Sequence, residues 1–378
     1  MPDDIALYIH IPFCRRKCNY CSFISYPHRD ADIPAYVEAL KQELGLRIRG
    51  KSIRSIYFGG GTPSLLSARQ LNDILATISS LGRVNQMAEI TIEANPGTVS
   101  EPYFRDIRAL GVNRLSLGIQ SLNDAELALI GRIHTAAEAR EAVSFAHKAG
   151  FNNLNLDFIY GLPKQTLNDW QKTLTEAMEI GAEHLSLYCL TLEDGVPLWG
   201  TIKRGDLPDT DHDLSADQYE MAEDLLAESG YRHYEISNWA RPGYECRHNL
   251  TYWDNSPYLG IGAAAHSFLN GRRLANTPDI DKYLDAFVDK PEPVLDLNEE
   301  ISPELQLAET VILGLRQCQG IYHDDIQRRF GIDLLKRYRR ELTEMVNAGL
   351  LEYDNRCLRL SRRGRLLSNE VFWRLLPE

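Results

Sequence analysis

The stretch Tyr8-Ile-His-Ile-Pro-Phe-Cys14-Arg-Arg-Lys-Cys18-Asn-Tyr-Cys21-Ser-Phe23 decides how this chain is read. The apolar run Ile5–Pro12 predicts a strand, and three cysteines at C-x3-C-x2-C spacing follow it on a loop. Three thiolates so placed can hold three corners of a cubane [4Fe–4S] cluster. The fourth iron is then left without a protein ligand, free to chelate the amino and carboxylate groups of a methionine moiety. An electron passed into such a cluster would cleave the sulfonium S–C bond of S-adenosylmethionine and leave a 5′-deoxyadenosyl radical. The bland alternative is structural zinc, which wants four ligands, commonly in two pairs. Only His10 and His28 lie nearby, and no second C-x2-C exists. A chance trio of core cysteines fits poorly with the polar residues between them.

Outward from the cysteines, short apolar runs alternate with helical stretches. Strands are predicted at Ile5–Pro12, Ser55–Gly59, Glu89–Ala94, Arg114–Ile119, Leu154–Ile159 and His184–Leu190. Helices are predicted at Pro34–Arg49, Ala68–Ser80, Ala136–Ala149 and Asn168–Ile180, with Gly111 and Gly150 as C-caps. Six βα units in series imply an α/β fold with a parallel sheet, curled by right-handed crossovers into a partial (β/α)6 barrel over residues 1–195. Ligands sit at the C-terminal strand ends of such sheets. The cysteines, Gly59-Gly60-Gly61, Glu93, Gln120 and Asp157 all fall there.

Residues 196–300 read as a barrel extension, with a helix at Ser215–Ser229, a strand at Tyr231–Ile236 and a loop-rich, aromatic 237–280. Residues 301–378 read as a C-terminal α+β winged-helix-like domain. Leu334–Ala348 is amphipathic, a hairpin turns at Asp354–Asn355, and a last helix follows. Residues 327–378 hold 12 Lys/Arg against 7 Asp/Glu, which raises DNA binding as one use of such a module.

The bulk numbers weigh against that use. The 378-residue chain carries a net charge of −12, which disfavours a general nucleic-acid or anionic-membrane binder. Its 44% hydrophobic and 25% charged residues are ordinary for a globular protein. The acidic start and the lack of a long apolar run imply no secretory signal and no stable membrane insertion, hence a cytoplasmic protein. Seven cysteines, three of them clustered, suit a metal site better than a disulfide framework.

Tyr8-Ile-His-Ile-Pro-Phe-Cys14-x3-Cys18-x-Tyr20-Cys21-x-Phe23 resembles the radical-SAM branch that contains oxygen-independent coproporphyrinogen III oxidase. The resemblance covers essentially the whole chain. It implies that Cys14, Cys18 and Cys21 ligate the cluster. It further implies an S-adenosylmethionine pocket drawn from Tyr8, Tyr20, Gly60, Gly61, Thr62, Glu93, Gln120, Arg132 and Asp157. Physically, glycines let backbone approach a ligand, carboxylates suit ribose hydroxyls and an ammonium, and an arginine suits a carboxylate. Taken singly, each acid could as well be a helix cap or a surface charge.

Two departures separate the chain from the oxidase. The oxidase has a further cysteine where Phe23 stands, and an N-terminal cover that Cys14, near the chain start, leaves no room for. In addition, His248-Asn249-Leu250-Thr251-Tyr252-Trp253 resembles the H-N-x-x-Y-W signature of HemW-type haem chaperones. A neutral imidazole is a common axial ligand of haem iron, and aromatic rings suit a macrocycle. The resemblance implies haem bound at His248, with haem-accepting proteins and an electron donor as partners. The cluster and S-adenosylmethionine would serve assembly or homodimer formation rather than turnover. Cys246 offers a second thiolate, and His266 reads as a core residue. The alternative is a radical-SAM oxidoreductase acting on a tetrapyrrole, as the oxidase does.

Overall fold

A computed structural model describes residues 4–288, 291–354 and 356–377. Its centre is a sheet of twelve strands. We number these β1 (Asp4–Ile11), β2 (Ser52–Gly60), β3 (Arg83–Ala94), β4 (Arg114–Gln120), β5 (Leu154–Tyr160), β6 (His184–Cys189), β7 (Arg232–Glu235), β8 (Asn238–Ala240), β9 (Tyr258–Ile261), β10 (His266–Leu269), β11 (Arg272–Asn276) and β12 (Leu295–Glu300). β1 to β6 pair in parallel and in chain order, as the βα rhythm predicts. β8 and β7 add antiparallel strands beyond β6, and β9 to β12 continue the sheet beyond β1.

The strands alternate small or polar residues with aliphatic ones, and this sets both faces. Tyr57, Glu93, Arg114, Ser116, Asn155, Asp157, Ser186 and Tyr188 face a common cavity. Ile56, Phe58, Ile92, Leu115, Leu117, Leu156, Phe158, Leu185 and Leu187 are buried on the other face, in one core with the surrounding helices. Side chains from β2 through β6 therefore converge, and the sheet is a partial barrel with a polar interior.

The outer helices begin where their caps dictate. Ser67 with Gln70, Thr135 with Glu138 and Thr166 with Asp169 form capping boxes ahead of the Ala68–Leu81, Ala136–Lys148 and Leu167–Ile180 helices. Gly111 and Gly150 follow their helices with φ of 99° and 87°, the left-handed region that favours glycine.

Residues 237–280 differ from the expectation of a loop-rich region. They hold β8 to β11 and the Arg247–Trp253 helix. These strands run only three to five residues, too short to show a periodicity. Buried Glu43 anchors this extension to the first outer helix. Its carboxylate accepts bonds from Gly262 N (2.9 Å), Tyr283 Oη (2.8 Å) and Asn276 Nδ2 (2.8 Å), and pairs with Arg47 (2.8 Å).

The C-terminal module has its own core, from Leu307 and Val311 to Val371 and Leu375. The expected amphipathic helix is two, Leu334–Arg337 and Arg339–Asn347, broken at Tyr338 (φ −114°, ψ 30°). The hairpin pairs Leu351–Tyr353 with Cys357–Leu360, and Ile321–Tyr322 adds a third strand. Of its turn, Asn355 lies outside the described residues. Several of the module's arginines dock it on the barrel half. Arg365 Nη2 lies 2.7 Å and Arg362 Nε 3.0 Å from the Glu223 carboxylate, and Arg329 donates to Asn255 O at 2.6 Å.

Candidate functional site

A cavity of about 420 Å³ opens at the C-terminal ends of the barrel strands. Cys14, Cys18 and Cys21 lie together on its wall, half-buried and unpaired. Among the described residues no three metal-binding side chains converge closely enough to grip a single ion. Three thiols suit three corners of a cluster, whereas a structural zinc wants four ligands. Two of them have polar partners. Arg132 Nη1 lies 3.4 Å from Cys18 Sγ, and Thr62 Oγ1 donates to Cys14 Sγ at 3.6 Å. Burial raises the Cys21 thiol, with Cys18 and Cys14 adding and Lys17 opposing. That cost is relieved when iron replaces the proton.

The glycine turn is pressed against the cysteine loop. A Cβ on Gly61 would stand 2.6 Å from Phe13 O and 3.0 Å from Cys14 Sγ. A Cβ on Gly60, at φ 115°, would stand 2.5 Å from the His10 ring, so neither position accepts a side chain.

Two buried carboxylates stand deeper. Glu93 accepts from Tyr57 Oη at 2.8 Å and Gly60 N at 3.2 Å. Burial, then the charge of Asp157, pushes its pKa from 4.5 up to about 7. Asp157 accepts from Ser116 Oγ at 3.1 Å and Asn155 Nδ2 at 2.8 Å, and burial raises it too. Two buried acids that stay raised despite the nearby Arg114 suit a cationic ligand, and S-adenosylmethionine carries a sulfonium and an ammonium. Gln120 sits at φ 70° beside a β-bulge in β4, a strained backbone at the cavity rim. Arg114, 1% exposed, reaches the cavity with its Nε unpartnered.

Of the residues expected from the sequence, Tyr20, Gly60, Gly61, Thr62, Glu93, Gln120, Arg132 and Asp157 all line this cavity with the cysteines. Tyr8 does not. Its ring stacks behind Gly59 on Tyr57, with centroids 6.2 Å apart, and its hydroxyl meets His10 Nδ1 at 3.0 Å. Arg16, Lys17, Arg114, Ser116, Asn155, Ser186, Tyr188 and Asn249 line the cavity without having been singled out. Strict alternation along β4, β5 and β6 is the signal that would have found the strand residues.

His248 does not line the cavity but packs against it, its ring centroid 5.0 Å from that of cavity-lining Tyr57. The Arg247–Trp253 helix lies under the barrel, and the amides of Arg247 and His248 donate to buried Glu89 at 3.1 and 3.0 Å. His248 is 1% exposed. Its Nδ1 meets Ser55 Oγ at 2.9 Å and its Nε2 meets Tyr252 Oη at 2.9 Å. Burial, helped by Arg114 and Arg54, lowers its pKa to about 3, so the imidazole is neutral. Asn249, the next residue, reaches the cavity. Cys246 corrects the idea of a second thiolate. It is fully buried, and burial pushes its thiol up to about 12. His266 is exposed rather than core, because it opens β10 at the rim.

Comparison with known proteins agrees with this arrangement. The Radical SAM superfamily profile matches residues 8–177, and the HemN C-terminal domain profile matches residues 301–367. The chain is 39% identical over 372 residues to the heme chaperone HemW of Lactococcus lactis subsp. lactis, covering 98% of this chain and 97% of that protein. It is 34% identical to the heme chaperone HemW of Bacillus subtilis, over 99% of both. Among solved structures, coproporphyrinogen III oxidase (HemN) from Escherichia coli shares the fold, with a TM-score of 0.87, 24% identity, and 99% of this chain and 91% of that chain covered. No described helix is long and apolar enough to cross a membrane. With relatives this similar over nearly its full length, the chain belongs to the HemW family within the radical SAM superfamily.

Proposed function

We propose that this chain binds haem and hands it to haem-accepting proteins in the cytoplasm, while holding a [4Fe–4S] cluster and S-adenosylmethionine in the barrel. The single observation that carries the reading is the H-N-x-x-Y-W helix, Arg247–Trp253, in a chain similar to heme chaperone HemW over nearly its full length. Cys14, Cys18 and Cys21 would hold the cluster, with Arg132 donating to Cys18. Glu93 and Asp157 would meet the cationic groups of S-adenosylmethionine, and the Gly60–Gly61 turn would admit its methionine end. When bound, the cluster supplies electrons to a sulfonium. Phe23, in place of the oxidase's further cysteine, weighs against coproporphyrinogen decarboxylation by this chain.

In this reading His248 is an axial haem ligand. Its neutral imidazole is ready to bind iron, but Nε2 must first give up the Tyr252 hydroxyl. Haemin titration of the wild-type chain and His248→Ala tests the assignment. The expected result is a Soret band that shifts and an affinity that falls at least about tenfold in the variant. An unchanged band and affinity would remove His248 as the ligand.

A further inference from the structure

We infer that the open end of the barrel is a seat for the porphyrin ring itself, with Phe23 and Tyr188 under the macrocycle and Arg16 and Lys17 holding its two propionates. The inference rests on the haem-binding reading above, and adds a second place on the chain, at the end of the barrel opposite His248.

All four residues line the mouth of the cavity. Phe23 is 69% exposed, and Tyr188, 43% exposed, turns its ring into the cavity with its hydroxyl buried beside Ser186 and Asp157. Exposed apolar surface of this kind, rimmed by charge, marks a ligand or partner contact. Aromatic faces offer large contact area at little conformational cost.

Arg16 and Lys17 are exposed in a chain of net charge −12, and the segment from Cys14 to Pro27 contains no acidic residue. Glu93 and Asp157 lie deep with Arg114 and Arg132 beside them, while Arg16 and Lys17 are the exposed cations of the lining. A ligand that is flat, apolar and doubly anionic along one edge matches that layout. The cavity of about 420 Å³ is of a size for one ligand like S-adenosylmethionine. A rigid porphyrin is too broad to follow it inside, and would lie across the opening. His248 takes no part in this seat, because it is closed off at the other end with both ring nitrogens occupied.

Metal-free protoporphyrin IX separates this seat from iron ligation. The protein, loaded with cluster and S-adenosylmethionine, is titrated anaerobically with protoporphyrin IX and with its dimethyl ester, at matched iron content between variants. Arg16→Glu combined with Lys17→Glu is expected to weaken the free acid at least about tenfold and to leave the ester within about twofold. Phe23→Ser is expected to weaken both porphyrins by similar factors. His248→Ala is expected to leave both unchanged. Equal affinity of the charge-reversed and wild-type proteins for the free acid would overturn the seat, as would equal losses for acid and ester. Wild-type protein that binds haemin but not protoporphyrin IX would sink the seat and spare the haem reading. Protein that binds neither would sink both.

Discussion

The Tyr252 hydroxyl lies 2.9 Å from His248 Nε2, so the tyrosine of the H-N-x-x-Y-W motif occupies the nitrogen that its histidine would offer to iron. The other nitrogen is held by Ser55 at 2.9 Å. The motif is thus latched upon itself, and haem ligation at His248 is linked to opening that latch.

Tyr252→Phe removes the latch and keeps the ring. One hydrogen bond contributes about 1 kcal/mol, so haem ligated by His248 should bind roughly fivefold more tightly in the variant. Haemin titration followed at the Soret band measures this. An affinity equal to or below wild type, in a variant with unchanged thermal stability, would contradict the latch.

Glu93 makes binding of S-adenosylmethionine depend on pH. Its pKa stands near 7 in the folded chain against an ordinary 4.5, so the native state keeps a proton that the unfolded chain has released. This carboxyl therefore subtracts stability as pH rises from 4.5 through about 7. A cationic ligand prefers the ionised form and expels that proton. Affinity should rise by up to about tenfold per pH unit below pH ~7 and then level off. Calorimetry at about pH 6 and about pH 8, in buffers of different ionisation enthalpy, reads both the affinity and the released proton. Glu93→Gln should bind more weakly and lose the slope.

Cys21→Ser, Cys14→Ala and Cys18→Ala should each abolish a stable cluster. Iron and sulfide should fall from about four per chain to near zero after anaerobic reconstitution, with the loss of visible absorption. Gly61→Ala should act like a milder cysteine variant, because its Cβ would displace Phe13 O and Cys14 Sγ together. The expected cost is about 1–3 kcal/mol of stability and incomplete iron loading. Full loading of Gly61→Ala would show that the turn has room the geometry denies.

Arg365 holds the C-terminal module to the barrel half through the largely buried Glu223 carboxylate. Burial alone would raise Glu223, but His233 and Arg365 outweigh it and lower its pKa. Arg365→Glu sets two acids against each other at this junction and should cost about 3 kcal/mol, read as a drop in the melting transition. A melting temperature within about one degree of wild type would show the junction to be held elsewhere.

The barrel was legible because its signals are local. β1 to β6 each carry an apolar run, β2 to β5 are each followed by a helix with a side-chain cap, and the cysteines fall just past the first strand's C-terminal end. The glycine turn, Glu93, Gln120, Arg132 and Asp157 came from motif resemblance, and the cavity gathers them. Arg114, Asn155 and Ser186 alternate with core aliphatics along β4 to β6, a signal that does not by itself say whether the polar face meets solvent or a cavity. Tyr8 backs the cavity rather than lining it, its ring against Gly59 of the glycine turn and stacked on Tyr57. β8 to β11 were missed because three to five residues carry too little pattern. The burial of His248 has no sequence signal, for it depends on Ser55, Glu89 and Tyr252 meeting beneath the barrel.

The helix beneath the barrel has one more consequence. With Arg247–Trp253 bonded to Glu89 at the bottom, the cavity opens by way of the strand ends. A molecule entering by those strand ends passes Arg16, Lys17 and Phe23 before it reaches Glu93 and Asp157, so a broad molecule resting on the lip would lie across the path of the small one below it.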